Sequence, residues 1–262
     1  MEERVLRQEI FSLKIPLFDF VRISVPGEIR WAHRVNTLFS LKRALDLASK
    51  GKIHCLEGDV WLNQRGIPVM THNAPNQKEE YLSLREWIKR ASIYRVGLKL
   101  DFKTRQAVEP SLFVLKELSV DPKQIILNAD ILRGPGGTKP SFEPKQFLFQ
   151  CRNFSPQTLL SIGFTTVPYS SSFSEDMIEY ALSLALDFSP ATVCLRVEKV
   201  TDRIMKKLQE NKILVTLWSD QDNPLTPKKW KEIIPLLQQY RTCALMDFPD
   251  FPQDLYREIK IV

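Results

Sequence analysis

Glu57 and Asp59 stand two residues apart in the stretch CLEGDVWLNQRGIPVMTHNAP, residues 55–75. Residues i and i+2 of an extended strand point to the same side, so these carboxylates share a face about 7 Å apart along the chain. Like charges held that close in an apolar setting need a cation between or beside them. Hard carboxylate oxygens favour Mg²⁺ or Ca²⁺. A turn at Gly66-Ile67-Pro68 and a short second strand, residues 68–72, then bring up His72, while His33 lies upstream. Two imidazoles bracketing an acidic pair can serve as acid and base in phosphoryl chemistry near neutral pH. His54 has the opposite parity to the acids and is expected to face helices or solvent.

The same parity argument applies to residues 96–102, where Lys99, Asp101 and Lys103 alternate with Leu98, Leu100 and Phe102. Turned outward, three charges would meet an apolar helix layer at high cost. Turned inward, Asp101 can join the cation site, Lys103 can neutralise an anion, and Lys99, deeper, makes a structural ion pair. Further polar groups fall at other predicted strand ends: Asn128/Asp130, Arg196/Glu198, Trp218/Asp220 and Asp247. Glu198, Asp220 and Asp247 fit simple solvent exposure equally well. Trp218 either stacks on a ligand or caps the core.

The elements that must position these groups alternate in type. Strands are expected at residues 28–33, 53–62, 96–102, 124–130, 159–165, 192–197, 213–218 and 243–247, with a pendant strand at 68–72. Helical spacing marks 38–49, 82–91, 110–118, 175–186, 201–211 and 227–240, the last interrupted at Pro235, with a short final helix near 253–258. Residues 133–140 read as a Gly/Pro-rich loop. Eight strands in strict alternation fit an α/β fold of the (β/α)8 TIM-barrel kind better than an open doubly wound sheet. In such a barrel the carboxyl ends of the strands form the reaction face, where the polar groups gather. Residues 1–26 are expected to be a leading segment packed on the barrel, and 27–262 a single barrel domain.

Composition narrows the function classes. An apolar fraction of 44% in 262 residues supplies a real core and argues against disorder. The net charge of +6 is a modest basic excess that would attract phosphate-bearing ligands or anionic surfaces. No dense Lys/Arg block with interleaved aromatics appears, which argues against nucleic-acid binding. The four cysteines carry no CxxC pair and fit free thiols in a reducing compartment. The opening MEERVLRQEIFSLKIPL is too charged for a signal peptide, and no segment approaches the ~20 apolar residues of a membrane span. The expectation is a soluble cytoplasmic protein, with peripheral membrane contact compatible with its charge.

WAHRVNT followed by LEGDVWLNQRGIPVMTHNAP resembles the opening of glycerophosphodiester phosphodiesterases, whose pattern is His-Arg, Glu-x-Asp-Val, Gly-x-Pro-Val and His. GLKLDFK, LNADIL with GPGG, SIGFTT, VTLWSD and MDF are similar to the menorin-type family, a relative within the phosphatidylinositol-phospholipase-C-like barrel phosphodiesterases. Asp101-x-Lys103 and the late Trp218 also resemble spider-venom sphingomyelinase D enzymes of that superfamily. The resemblance spans most of residues 31–247. It implies a metal-dependent phosphodiesterase with His33 and His72 as the acid/base pair and Glu57, Asp59 and Asp101 as ligands to Mg²⁺ or Ca²⁺. It further implies Arg34 and Lys103 as phosphate contacts, with Asn128, Asp130, Arg196 and Trp218 lining the substrate pocket. The substrate would be a glycerophosphodiester or lysophospholipid. The third ligand is Asp where glycerophosphodiesterases usually carry Glu. The alternative is a non-catalytic barrel that binds phosphate, lipid or a protein partner. A hydrolase or lyase acting on a sugar phosphate is disfavoured by the lack of a Gly-rich phosphate loop near the seventh and eighth strands.

Overall fold

The computed structural model describes residues 15–249. A short helix, α1 (Pro16–Val21), precedes eight parallel strands that pair in one sheet. In ladder order these are β1 (Trp31–Ala32), β2 (Cys55–Leu62), β4 (Gly97–Phe102), β5 (Ile125–Arg133), β6 (Leu159–Thr165), β7 (Ala191–Arg196), β8 (Leu214–Trp218) and β9 (Ala244–Asp247). The remaining strand, β3 (Pro68–Met70), folds back antiparallel on β2 as a hairpin. The strands are buried along nearly their whole length, as expected of a parallel sheet closed on one side by its own interior and on the other by helices.

Those outer helices are α2 (Leu38–Ser49), α3 (Leu84–Ala91), α4 (Val108–Glu117), α5 (Pro144–Phe154), α6 (Glu175–Asp187), α7 (Asp202–Glu210) and α8 (Pro227–Tyr240). Several start on a side-chain cap: Thr37, Ser83, Ser174, Thr201 and Thr226 each accept a hydrogen bond from a backbone N–H in the first turn. These caps fix where each of those helices begins after its strand.

The barrel is nearly closed. β1 and β9 end the ladder, and their seam is bridged by the Gly27 N–H on the Arg241 carbonyl (2.9 Å) and by side chains of His33 and Asp247. At the opposite end, Leu17 and Val21 of α1 pack with Ile29, Cys55, Ile126, Leu159, Leu214 and Leu245. This apolar plug seals the amino-terminal end and leaves the carboxyl end as the open one.

Three expectations change in detail. The first strand shrinks to two residues because Pro26–Glu28 forms a 3₁₀ turn, its Glu28 N–H bonded to the Val25 carbonyl. Helix α5 appears where only a loop followed by a strand was expected; Pro144 sits in its first turn, and Phe147, Leu148 and Cys151 bury one face. α8 runs through Pro235 without interruption, anchored on both sides by buried Ile233, Ile234 and Leu237. The helix expected near 253–258, and residues 1–14 of the leading segment, lie outside the described residues. All four cysteines are buried and free. Among the described residues no helix is long and apolar enough to cross a membrane.

Candidate active site

Parity along β2 and β4 brings three acids together. Glu57 and Asp59 on β2 face inward, and register places Asp101 of β4 directly beside Asp59. Glu57, Asp59 and Asp101 each offer a carboxylate oxygen within 4.8 Å of the others. Their environments differ. Glu57 is buried, its Oε2 accepting the Arg34 backbone N–H at 2.8 Å. Burial, reinforced by the nearby Asp59 charge, holds its carboxyl above the usual range despite His33 and Lys99. Asp59 is equally inaccessible, but His72, Lys103 and the Asn36 amide outweigh its burial and hold it below the usual range. The Lys103 ammonium lies 2.6 Å from Asp59 and 2.5 Å from Asp101, bridging the two. Lys103 is thus part of the acid cluster's own charge balance.

The donor set is all oxygen, three carboxylates converging from adjacent strands, one of them disfavoured as an anion without a counter-charge. These residues fit a hard divalent cation. Asn128 supports them from β5: its amide donates to Asp101 Oδ1 at 2.6 Å while its oxygen accepts from the Ser161 hydroxyl at 2.6 Å. Expected as a pocket-lining residue, it does line the cavity, but its polar atoms are spent on orienting Asp101.

The two imidazoles are held differently. His33, just beyond β1, turns Nδ1 toward Asp247 at 3.1 Å and toward Glu57 at 3.4 Å. Burial alone would depress its pKa; the two carboxylates outweigh that and push it up to about 9. His72 follows β3, with Nδ1 3.4 Å from Asp59 Oδ1 and Nε2 2.9 Å from an Arg34 guanidinium nitrogen. Since a guanidinium only donates, His72 accepts at Nε2 and carries its proton on Nδ1.

Sequence alone leaves Asp247 open between a group at the reaction face and a strand end meeting solvent. It is instead fully buried, taking His33 Nδ1 on one side and the Lys99 ammonium at 3.4 Å on the other. Lys99 is accordingly the structural ion-pair partner expected of it. Asp247 shares strand parity with inward-facing Leu245, so parity could place it inside the barrel but not beside His33. Asp247→Asn is expected to lower turnover about 10- to 100-fold through loss of His33 orientation, the range for groups that position a reacting side chain. Steady-state kinetics beside an unchanged near-UV spectrum would check this.

Arg34 sits in the left-handed region (φ 50°), an uncommon conformation for a non-glycine residue. That kink aims its N–H at Glu57 and sends its side chain over the mouth. There the guanidinium forks onto Asp222, in the loop after β8, at 2.8 and 2.7 Å. Nothing in the sequence marked Asp222, a loop residue with no periodic neighbour. The pair is partly exposed, so it is weak. Asp222→Asn is expected to free the fork and tighten inorganic phosphate binding by ~2- to 5-fold, measured by titration calorimetry.

The far wall carries the remaining expected residues. Arg196 is buried, paired with Glu198 and Asp220, and lies 5.2 Å over the Trp218 ring. Glu198 and Asp220 therefore hold Arg196 as ion-pair partners. Asp130 reaches the same cavity from β5 but is open to solvent at its mouth. His33, His72, the acid triad, Arg34, Lys103, Asn128, Asp130, Arg196 and Trp218 all line one cavity of about 250 Å³. His54 does not join them: it accepts the Arg30 N–H near the barrel's other end, as parity implied.

An eight-stranded parallel barrel of this kind is the fold of the glycerophosphodiester phosphodiesterases. A glycerophosphodiester phosphodiesterase from Thermotoga maritima superposes with a TM-score of 0.54 at 13% identity, covering 88% of this chain and 98% of that one. An Oleispira antarctica phosphodiesterase, solved in complex with its product sn-glycerol-3-phosphate, gives 0.58 at 18% identity over 88% and 96%. A Silicibacter pomeroyi protein, a candidate glycerophosphoryl diester phosphodiesterase, gives 0.62 at 14% identity over 94% and 97%. At these identities the likeness is one of fold. The chain belongs to the Menorin N-terminal domain family, which matches residues 27–249. It is also 29% identical to human Protein FAM151B over 211 residues, 75% of this chain and 74% of that protein.

Proposed function

We propose that this barrel is a metal-dependent phosphodiesterase acting on a glycerophosphodiester- or lysophospholipid-type substrate. The observation that carries this reading is the convergence of Glu57, Asp59 and Asp101 in a cavity that two imidazoles also line. A Mg²⁺ or Ca²⁺ ion held by these three would supply charge stabilisation at a phosphate oxygen. The chain's own residues do the rest. His72, neutral through its Nε2 acceptor contact, takes the proton of the attacking hydroxyl once Arg34 swings from it to the phosphate. His33, its Nδ1 held between two carboxylates, keeps its protons and gives one to the leaving alcohol. Arg34 and Lys103 balance charge on the phosphate oxygens.

The cavity is small for a ligand site, which suits a phosphate with a short alcohol. A lysolipid would insert its head group alone and leave its acyl chain outside, consistent with a soluble protein, cytoplasmic in our reading, that touches membranes only peripherally. One observation favours a second reading. Lys103 already neutralises Asp59 and Asp101, so the same cavity can hold together as a phosphate-binding module without turnover. A panel of glycerophosphocholine, lysophospholipids, sphingomyelin and bis-p-nitrophenyl phosphate, run with each divalent ion, separates the two. Metal-dependent product formation supports the enzyme, and binding without product supports the module. Anomalous scattering from soaked Mn²⁺ would locate the cation.

A further inference from the structure

Among the described residues, charged side chains around the cavity are tied to one another, with one exception. Arg34 holds Asp222, Lys103 holds Asp59 and Asp101, and Arg196 holds Asp220. Asp130 makes no ion pair or side-chain hydrogen bond among the described residues, yet its place is carved for it. It pairs in register with Gly163 of β6, where a Cβ would come within 2.4 Å of Asp130 Oδ1. Any other residue there would push the carboxylate aside. Asp130 itself is open to solvent at the mouth, whereas just past the end of β6 the Thr166 hydroxyl is buried, lines the same cavity, and has no hydrogen-bond partner among the described residues. A buried hydroxyl is rarely left unpaired without a reason, and a ligand is one such reason; the exposed Asp130 beside it is free to meet the same ligand.

Their position says which part of a ligand they would meet. In the ladder β1-β2-β4-β5-β6-β7-β8-β9, β5 and β6 lie across the mouth from β9 and β1, which carry Asp247 and His33. The acids of the cation site lie on β2 and β4, to one side. A phosphate engaged there would extend its alcohol over β5 and β6. A carboxylate repels a second phosphate and accepts hydrogen bonds, while a hydroxyl both donates and accepts. We propose that Asp130 and Thr166 form a subsite for the free hydroxyl groups of the substrate's alcohol, selecting phosphate esters of polyols. This rests on the phosphodiesterase reading above.

Titration calorimetry with Mg²⁺ present tests it, using ethyl phosphate, sn-glycerol 3-phosphate and phosphoethanolamine. Hydrogen bonds to a charged group predict about tenfold or more tighter binding of glycerol 3-phosphate than of ethyl phosphate by the unaltered protein. In Asp130→Ala that preference should fall to about one while ethyl phosphate binds as well or better, its repulsion removed. Thr166→Val should lose part of the preference. The inference is overturned if the unaltered protein has no preference, if Asp130→Ala retains it, or if phosphoethanolamine binds more tightly than glycerol 3-phosphate. Failure of ethyl phosphate itself to bind would instead bring down the reading of the cavity as a phosphate site, and this subsite with it.

Discussion

Replacing either His33 or His72 with alanine is expected to lower turnover of an alkyl phosphodiester by about 10²- to 10⁴-fold, the usual worth of a positioned acid or base. The fold should survive. Removing His33 leaves Asp247 paired with Lys99 at 3.4 Å, and removing His72 leaves Asp59 bridged to Lys103 at 2.6 Å. The two variants should then part company on a substrate with a good leaving group. A p-nitrophenolate departs without protonation, so loss of the acid matters little there, whereas loss of the base matters as before. With His33 as acid, His33→Ala should recover to within about tenfold of the unaltered protein on bis-p-nitrophenyl phosphate, while His72→Ala stays low. The reverse pattern would exchange the roles. Full activity of both variants on both substrates would remove the imidazoles from the chemistry.

That assignment was legible in the sequence only in part. Alternation along residues 57–59 and 99–103 carried enough to place Glu57, Asp59, Asp101 and Lys103 on one face, because strand parity is a local property. The barrel itself followed from the strict order of strands and helices. What stayed hidden was non-local. Asp247 lies 214 positions from His33, and only closure of the seam brings the two side chains together. Asp222 meets Arg34 across 188 positions through an irregular loop and a left-handed kink, neither of which has a periodic signature. Helix α5 escaped for a different reason. The Gly/Pro-rich run before it drew attention to a loop, although Pro144 with Phe147, Leu148 and Cys151 gave a helix start and a buried face. Arg196 shows the limit of reasoning from type alone: its parity aims it at the cavity, but its guanidinium is committed to Glu198, Asp220 and the Trp218 ring.

Glu57→Gln is the change that most directly separates a catalytic cation from a structural one. Gln keeps the shape of Glu57 and its ability to accept the Arg34 N–H, 2.8 Å away, but removes one of the three anionic donors. Affinity for Mg²⁺ or Ca²⁺ should fall by about 100-fold or more, since these ions depend on charged oxygen ligands, and turnover should fall with it. Stability should move the other way in the metal-free protein. The Glu57 carboxylate is buried beside Asp59, and burial with that like charge disfavours its ionised form. A neutral amide spares the fold that cost, so the melting temperature without metal should be unchanged or higher. The added ion should raise the melting temperature of the unaltered protein and leave that of Glu57→Gln nearly where it was, because only a binding-competent native state gains from mass action. A metal-free variant that melts well below its parent would mean that Glu57 serves the barrel's integrity. Retained metal affinity in Glu57→Gln would mean that the cation, if there is one, is held elsewhere.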